Sequence, residues 1–361
     1  MNSVPAPSSA QSTGFGIIGT GHIAANFAED LRLLGDVRLR SVLSRKRASA
    51  EAFKTAHGAV RAHTSFDDFL NDPELRVIYI ASPNGAHAEQ ALTCLRAKKA
   101  VLIEKPFAVT DHEAVRIAGE AKRQGVPAME AMWIRFLPGI LKARALLQSD
   151  VIGDIVSVKG DLAYQHSYDP ESRFFDKALG GGVSLDLAVY LLSLTMFFFG
   201  KPAGISGSWR AAESGVDISA DYLLSYDRFQ AELTASFERR GGNAYQITGT
   251  KGTIRIEDPF IQARAIRMLR GCGALSKTLN PNIGTPMGMA QKVAARLPLP
   301  GQIRHQATYR GTGLQFQARA IADAVRSGDT SGLVPLEESA AALRAVNLIL
   351  SAPPQRQLGQ T

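Results

Sequence analysis

One short stretch near the start constrains this chain more than any other. Phe15-Gly16-Ile17-Ile18 reads as a buried strand, Gly19-Thr20-Gly21 as a tight turn, and His22-Ile23-Ala24 as the opening of a helix. The result is Gly-Xaa-Gly-Xaa-Xaa-Ala set between a strand and a helix. Gly19 permits the turn, Gly21 lets a ligand reach the backbone, and Ala24 lets helix and strand pack closely. The first N–H groups of such a helix face an anion. The pyrophosphate of a dinucleotide is therefore expected on Gly19, Thr20, Gly21, His22 and Ile23.

The pattern that follows agrees. Apolar runs at 37–43, 76–81, 100–103 and 128–129 alternate with helical patterns at 86–97 and 111–124. This predicts an α/β fold with an N-terminal Rossmann doubly wound parallel sheet, whose ligands lie past the carboxyl ends of the strands. Three of those ends carry unusual residues. After the second strand comes Ser44-Arg45-Lys46-Arg47, with no acid for an adenosine ribose. A hydroxyl and basic groups suit a 2′-phosphate instead, so Ser44 and Arg45 are candidate contacts and NADP is favoured over NAD. The next two ends carry Ser82-Pro83-Asn84 with His87, and Glu104-Lys105-Pro106. Pro83, Asn84, His87, Glu104 and Lys105 are therefore placed with the cofactor, and Lys105-Pro106 is a candidate cis peptide.

The second informative stretch is Gly180-Gly181-Gly182-Val183-Ser184-Leu185-Asp186-Leu187-Ala188-Val189-Tyr190, which sets a carboxylate and a phenol in an otherwise apolar helix. Asp186 cannot be ionised there without a cation or several donors. Lys105 is the partner expected for it. Asp186 and Tyr190 are four apart and share a helical face, and the glycines allow another backbone or a ligand to approach the helix start. The run falls short of the ~20 apolar residues of a membrane span and contains Asp186.

Beyond Trp133 the periodicity changes. A helix at 138–148 and strand-like runs at 154–164, 203–210, 216–226, 228–238, 244–250, 253–257 and 263–269 predict a C-terminal α+β domain with an open, largely antiparallel sheet. An open face needs covering, so a homodimer or dimer of dimers through this sheet is expected. The boundaries drawn are a disordered tail at 1–13, an NADP-binding domain at 14–134, and a substrate and dimerisation domain at 135–351. The last includes a long loop or arm at 271–313 and closing helices at 314–327 and 335–351; a second tail covers 352–361.

Composition excludes some classes. The net charge of +8 arises from scattered Lys and Arg without a nucleic-acid motif, which points to a polyanionic cofactor and to no nucleic-acid partner. Basic stretches at 292–296 and 304–310 read as solvated surface. Cys94 and Cys272 are too few and too far apart for a disulfide framework or a zinc site, and no metal is expected. The first residues lack the basic and apolar regions of a signal peptide, so the expected location is cytoplasmic, with no membrane partner.

Taken together, Gly19-Thr20-Gly21-His22-Ile23-Ala24, Glu104-Lys105-Pro106 and the Gly-Gly-Gly-Xaa-Xaa-Leu-Asp-Xaa-Xaa-Xaa-Tyr helix resemble the glucose-fructose oxidoreductase/inositol dehydrogenase/rhizopine-catabolism (Gfo/Idh/MocA) family, over roughly residues 14 to 350. The run 129–138, Met-Glu-Ala-Met-Trp-Ile-Arg-Phe-Leu-Pro, and Arg173-Phe174-Phe175-Asp176 are similar to the branch of dimeric dihydrodiol dehydrogenase and NADP-dependent D-xylose dehydrogenase. The resemblance implies NADP in the first domain and oxidation of a sugar or diol. It matches Lys105 and Tyr190 to the catalytic pair, Asp186 to the acid on the same helix, and Pro83 and Asn84 to the nicotinamide. Departures are Ala188, where the branch shows Gly, and Val183-Ser184; neither removes a reacting group. The 271–313 arm is a larger difference.

Removing a hydride from a hydroxyl-bearing carbon requires a base for the hydroxyl proton. Tyr190 is the candidate, tuned by the Lys105 ammonium. At about 4 Å and an effective dielectric near 20, that charge contributes roughly 4 kcal/mol. Asp186 either keeps Lys105 charged or binds a substrate hydroxyl, and Lys105 as the base is the competing assignment. Trp133, Arg135, Phe136 and Arg173 are candidates for the substrate pocket, with a packed aromatic cluster and a structural arginine as the alternative. The other readings are an inositol or amino-sugar dehydrogenase, a glucose-fructose-type oxidoreductase that retains its cofactor, and a dinucleotide-binding regulatory protein without turnover.

Overall fold

The computed structural model describes residues 12–271 and 302–355. Residues 1–11 and 356–361, Cys272, the basic stretch at 292–296 and most of the expected arm lie outside them. The chain forms two units, one running to Trp133 and including Arg310–Ala340, the other comprising Ile134–Tyr309 and the chain from Ala341.

The first unit alternates strand and helix: β1 (Thr13–Ile18), α1 (His22–Leu31), β2 (Val37–Leu43), α2 (Arg47–His57), β3 (Arg61–His63), α3 (Phe66–Leu70), β4 (Leu75–Ile80), α4 (His87–Arg96), β5 (Ala100–Ile103), α5 (Asp111–Gln124) and β6 (Ala128–Glu130). The sheet order is β3-β2-β1-β4-β5-β6 and every pairing is parallel. Phe15, Ile17, Val77, Ile78, Val101 and Leu102 are wholly buried, as strands covered on both faces require. Local signals set the helix ends. Thr110 and Glu113 form a capping box at the start of α5, and Gly125 closes it in the left-handed region. The order reverses between β1 and β4, and that crevice is where a sheet of this kind binds its ligand.

One boundary differs from expectation. The sequence assigns the helix at 314–327 to the second domain, whereas Leu314–Ser327 packs in the first unit against α1, β4 and β5. Asp30 explains the return. Gly313 precedes this helix and has no side chain to cap it. The Asp30 carboxylate of α1 accepts instead from the N–H groups of Thr312, Gly313 and Leu314 and from the Thr312 hydroxyl.

The second unit holds α6 (Pro138–Gln148), β7 (Ile155–Ala163), α7 (Val189–Phe199), β8 (Gly204–Ala211), β9 (Asp217–Ser225), β10 (Gln230–Ser236), β11 (Tyr245–Gly249), β12 (Gly252–Ile256), β13 (Ala265–Arg270) and β14 (Gln302–Gln306). These strands make one sheet in the order β14-β13-β12-β11-β7-β10-β9-β8, antiparallel except where β7 and β10 run parallel. α7 packs on β7 and β10. β14 falls in the region read as an arm. Its residues are mostly exposed and carry no apolar alternation, so only its ladder to β13 makes it a strand.

Among the described residues, one helical stretch, Lys177–Phe199, is long and apolar enough to cross a membrane, with a mean hydropathy of 1.8. Its 23 residues exceed the length counted from sequence, but 78% of the apolar window is buried inside the fold. The apolar character belongs to the core beneath the sheet.

Candidate active site

In the first unit, β1 hands the chain to α1 through Gly19 at φ +108°, and a Cβ there would lie 2.5 Å from the Ala81 carbonyl oxygen. The ends of β1 and β4 are that close because Ala81 N–H donates to Ile18 O at 2.9 Å. A side chain at 19 would force them apart at the switch point. Gly21 meets open space, and no side chain caps α1. The first N–H groups of α1 are thus available to an anion, as the pyrophosphate of a dinucleotide requires. Thr20 and Ile23 are half-buried and His22 is exposed at this rim. At the end of β2, Ser44 is half-buried, Arg45 and Lys46 are exposed, and α2 has no acid in its first turn.

Lys105 follows β5, is half-buried, and joins Pro106 by a cis peptide. Its neighbours are fixed from below. Tyr79 OH donates to Glu104 Oε1, and Lys105 N–H donates to Glu104 Oε2 at 3.2 Å. Burial pushes the Glu104 carboxyl up to about 7, against the opposing pull of the Tyr79 hydroxyl and the Lys105 charge. His87 is wholly buried between two carbonyl oxygens, Nδ1 2.9 Å from Pro106 O and Nε2 2.9 Å from Ser82 O. Burial holds its imidazole below the usual range. The side-chain polar atoms of both residues are engaged with protein, and they tie the Pro83-Asn84 loop and the Lys105 turn to the core. Pro83 is exposed and Asn84 half-buried, opening a short 3₁₀ turn ahead of α4.

In the second unit, the helix bearing Asp186 and Tyr190 opens with a π-helical turn, Ser184–Ala188, before α7. π-turns inside helices are often found at functional sites. The preceding glycines do what their number suggested: a Cβ on Gly181 would come within 2.8 Å of Phe174 O, so the 174–176 loop lies directly on the helix start. That loop carries Arg173, whose NH1 stands 3.7 Å from Asp186 Oδ1 and whose guanidinium lies over the Phe174 ring at 4.2 Å. Within this unit Arg173 is a cation beside Asp186, a neighbour that the sequence does not point to. Tyr190 is buried on α7. Tyr164, just past β7, feels Asp186, Tyr190 and Asp258; burial first, then those charges, push its phenol up to about 12.

Over residues 13–132 the chain matches the family model described as "Oxidoreductase family, NAD-binding Rossmann fold", and over 140–255 the "GFO/IDH/MocA C-terminal domain". The chain belongs to the GFO/IDH/MocA oxidoreductase family. Among curated relatives of this GFO/IDH/MocA chain, trans-1,2-dihydrobenzene-1,2-diol dehydrogenase of Sus scrofa is 34% identical over 250 residues, covering 68% of this chain and 74% of the relative. The Homo sapiens enzyme of that name is 28% identical over 331 residues, covering 90% and 92%. Aldose-aldose oxidoreductase from Caulobacter crescentus, solved with glycerol, shares the fold with a TM-score of 0.80 at 19% identity, covering 94% of this chain and 97% of that one. This GFO/IDH/MocA member is an NAD(P)-dependent oxidoreductase, and its Gly19–Ala24 cradle fits the dinucleotide.

Of the substrate candidates in this family member, Arg135 proves structural. It is buried, with Nε donating to Ser193 Oγ and NH2 to Ser193 O, both at 2.8 Å, and it lies over the Phe197 ring. Those bonds commit the guanidinium to α7. Trp133 and Phe136 are half-buried, and Arg173 is exposed beside Asp186. Two residues next to the helix escaped the sequence. Tyr164 ends an ordinary strand pattern, and Asp217 opens one; neither sits in a recognisable motif. Asp217 Oδ2 accepts from Ser184 N–H at 2.7 Å, and Tyr222 OH donates to Ser184 Oγ at 2.6 Å. Asp217 is buried, and its carboxyl is raised by that burial.

Proposed function

We propose that this chain moves a hydride between NADP and a hydroxyl-bearing carbon of a sugar or diol, such as an aldose of the D-xylose or D-glucose kind or a trans-dihydrodiol. The observation that carries the reading is the Asp186–Tyr190 helix: a carboxylate and a phenol held in an apolar helix in a chain that also builds a dinucleotide cradle. When bound, the nicotinamide ring supplies the hydride acceptor or donor. In oxidation, the substrate C–H bond breaks with its electron pair, and the hydroxyl proton passes to Tyr190. Lys105 supplies the positive charge that lowers the cost of the phenolate. Asp186, with Arg173 beside it, holds a substrate hydroxyl. Ser44 and Arg45 favour the 2′-phosphate of NADP over NAD. Pro83 and Asn84 line the nicotinamide, and Trp133 and Phe136 offer apolar surface to the ring faces of a sugar. The eight-stranded sheet is the surface through which two copies pair, in the cytoplasm.

The test is nicotinamide absorbance with NADP and then NAD, against aldoses, inositols and trans-dihydrodiols, with Lys105→Met and Tyr190→Phe beside the parent. Turnover of one substrate class, lost in both variants while NADP still binds, is the expected result. Tight NADP binding with no turnover on any of them would replace this reading with a retained-cofactor oxidoreductase or a dinucleotide sensor.

A further inference from the structure

Lys105 sits on irregular backbone that is buried over residues 106–108. β5 ends at Ile103 and α5 begins at Asp111, so residues 105–107 lie in neither a strand nor a helix. Buried backbone donors and acceptors must still be paired. Three consecutive residues are paired by three different buried ionisable side chains: Lys105 N–H by Glu104, Pro106 C=O by His87, and Phe107 N–H by Glu130.

Glu130 closes this set. It ends β6, where Cα pairing sets it against Ile103 of β5, and only 3% of it is exposed. Oε1 accepts from Phe107 N–H at 3.1 Å, and Oε2 accepts from the Ser339 hydroxyl at 2.8 Å. Ser339 is itself buried, in the first turn of the helix Leu336–Leu350. One carboxylate thus spans two donors on separate elements, and its charge is felt by Glu104 on the other side of the turn. A buried carboxylate is costly to keep where an apolar residue would pack, unless its bonds are needed.

We propose that Glu130 is a positioning residue for Lys105, holding the Lys105-Pro106-Phe107 turn against the core through Phe107 N–H and Ser339. The proposal rests on the reading of Lys105 as the group that tunes the proton acceptor. Glu130 does not touch the reacting atoms. Its effect is on where the lysine ammonium stands, and a displacement of about 1 Å at such a group can cost on the order of 100-fold in rate.

Two measurements test it on the full-length protein, with Glu130→Ala, Glu130→Asp and Glu130→Gln. Aspartate keeps the charge and most of the volume but is one methylene too short to reach both donors, so it decides the matter should alanine fail to fold. Glutamine keeps an acceptor for Phe107 N–H, and the Ser339 hydroxyl can turn to accept its amide. The first measurement is the rate at which acetic anhydride labels the Lys105 amine, read by peptide mass with Lys98 as internal standard. A change of roughly threefold or more is expected in the alanine and aspartate variants and little change in glutamine, because amine reactivity follows local environment. The second is steady-state turnover of whichever aldose, inositol or trans-dihydrodiol the parent protein turns over. There kcat should fall about tenfold or more with NADP affinity retained, and the loss should vanish in a Lys105→Ala background. Unchanged labelling in the aspartate variant, or a kcat loss that persists in full without Lys105, overturns the proposal. Full activity of Lys105→Met would instead overturn the reading of Lys105, leaving the labelling result to judge Glu130 alone.

Discussion

Gly182 lacks a side chain because Asp217 occupies its place: a Cβ built there would overlap Asp217 Oδ1, and the glycine sits at φ +115°. The same carboxylate accepts the Ser184 N–H, so a residue of β9 both caps the Asp186 helix and sets the closeness of its approach. Gly182→Ala should lower stability by about 1–3 kcal/mol and reduce kcat, since both the backbone conformation and the cap are disturbed. Asp217→Asn should be milder than Asp217→Ala, which leaves a buried N–H unpaired at a cost of about 1–3 kcal/mol. Urea melts beside kcat check both, and equal effects of the two Asp217 variants would contradict the capping role.

Two cradle glycines should behave differently. Gly19→Ala meets the Ala81 carbonyl and needs a strained φ, so it should lower stability and weaken dinucleotide binding together. Gly21→Ala meets no protein atom within 4 Å. It should leave the melting temperature unchanged and still weaken dinucleotide binding about tenfold or more, the outcome expected where a pyrophosphate approaches the backbone. Calorimetric titration with NADP, alongside thermal melts, separates the two.

Glu104 should make stability depend on pH. Burial raises its carboxyl from 4.5 to about 7 in the folded protein. The folded state therefore holds the proton more tightly than the unfolded chain. Its contribution is most favourable below pH 4.5, declines as pH rises, and levels off above about 7. The loss across that window is on the order of 3 kcal/mol. Glu104→Gln removes the ionisation, so the stability difference between variant and parent should shift toward the variant between pH 5 and 8, about where this group titrates. Parallel melting curves at both pH values would exclude the effect.

Arg135 and Arg173 are both substrate candidates by sequence, and their variants should separate cleanly. Arg135→Ala leaves the Ser193 hydroxyl without its guanidinium partner and opens space on α7, so it should cost about 2 kcal/mol or more of stability. Arg173 is exposed and its ion pair with Asp186 adds little to folding. Arg173→Ala should leave the melt unchanged and raise KM or lower kcat, because it alters the charge beside Asp186.

The parallel sheet, the Gly19–Ala24 cradle and the Asp186/Tyr190 helix were legible along the chain because each is written in neighbouring residues. Strand and helix periods repeat every two or 3.6 residues, and a turn needing positive φ demands glycine wherever it occurs. The capping box of α5 and its closing Gly125 are of the same kind. Fold class and the nature of the ligand followed from such local demands. What the sequence withheld were partnerships between residues far apart. Asp30 capping the helix at Leu314, Asp217 on Ser184, Glu130 between Phe107 and Ser339, Arg135 on Ser193 and Arg173 beside Asp186 all depend on which elements the fold brings together. A buried polar group must find a partner, and sequence shows the need. Only the packed chain decides which residue meets it, because several candidates carry the right chemistry and distance alone selects among them.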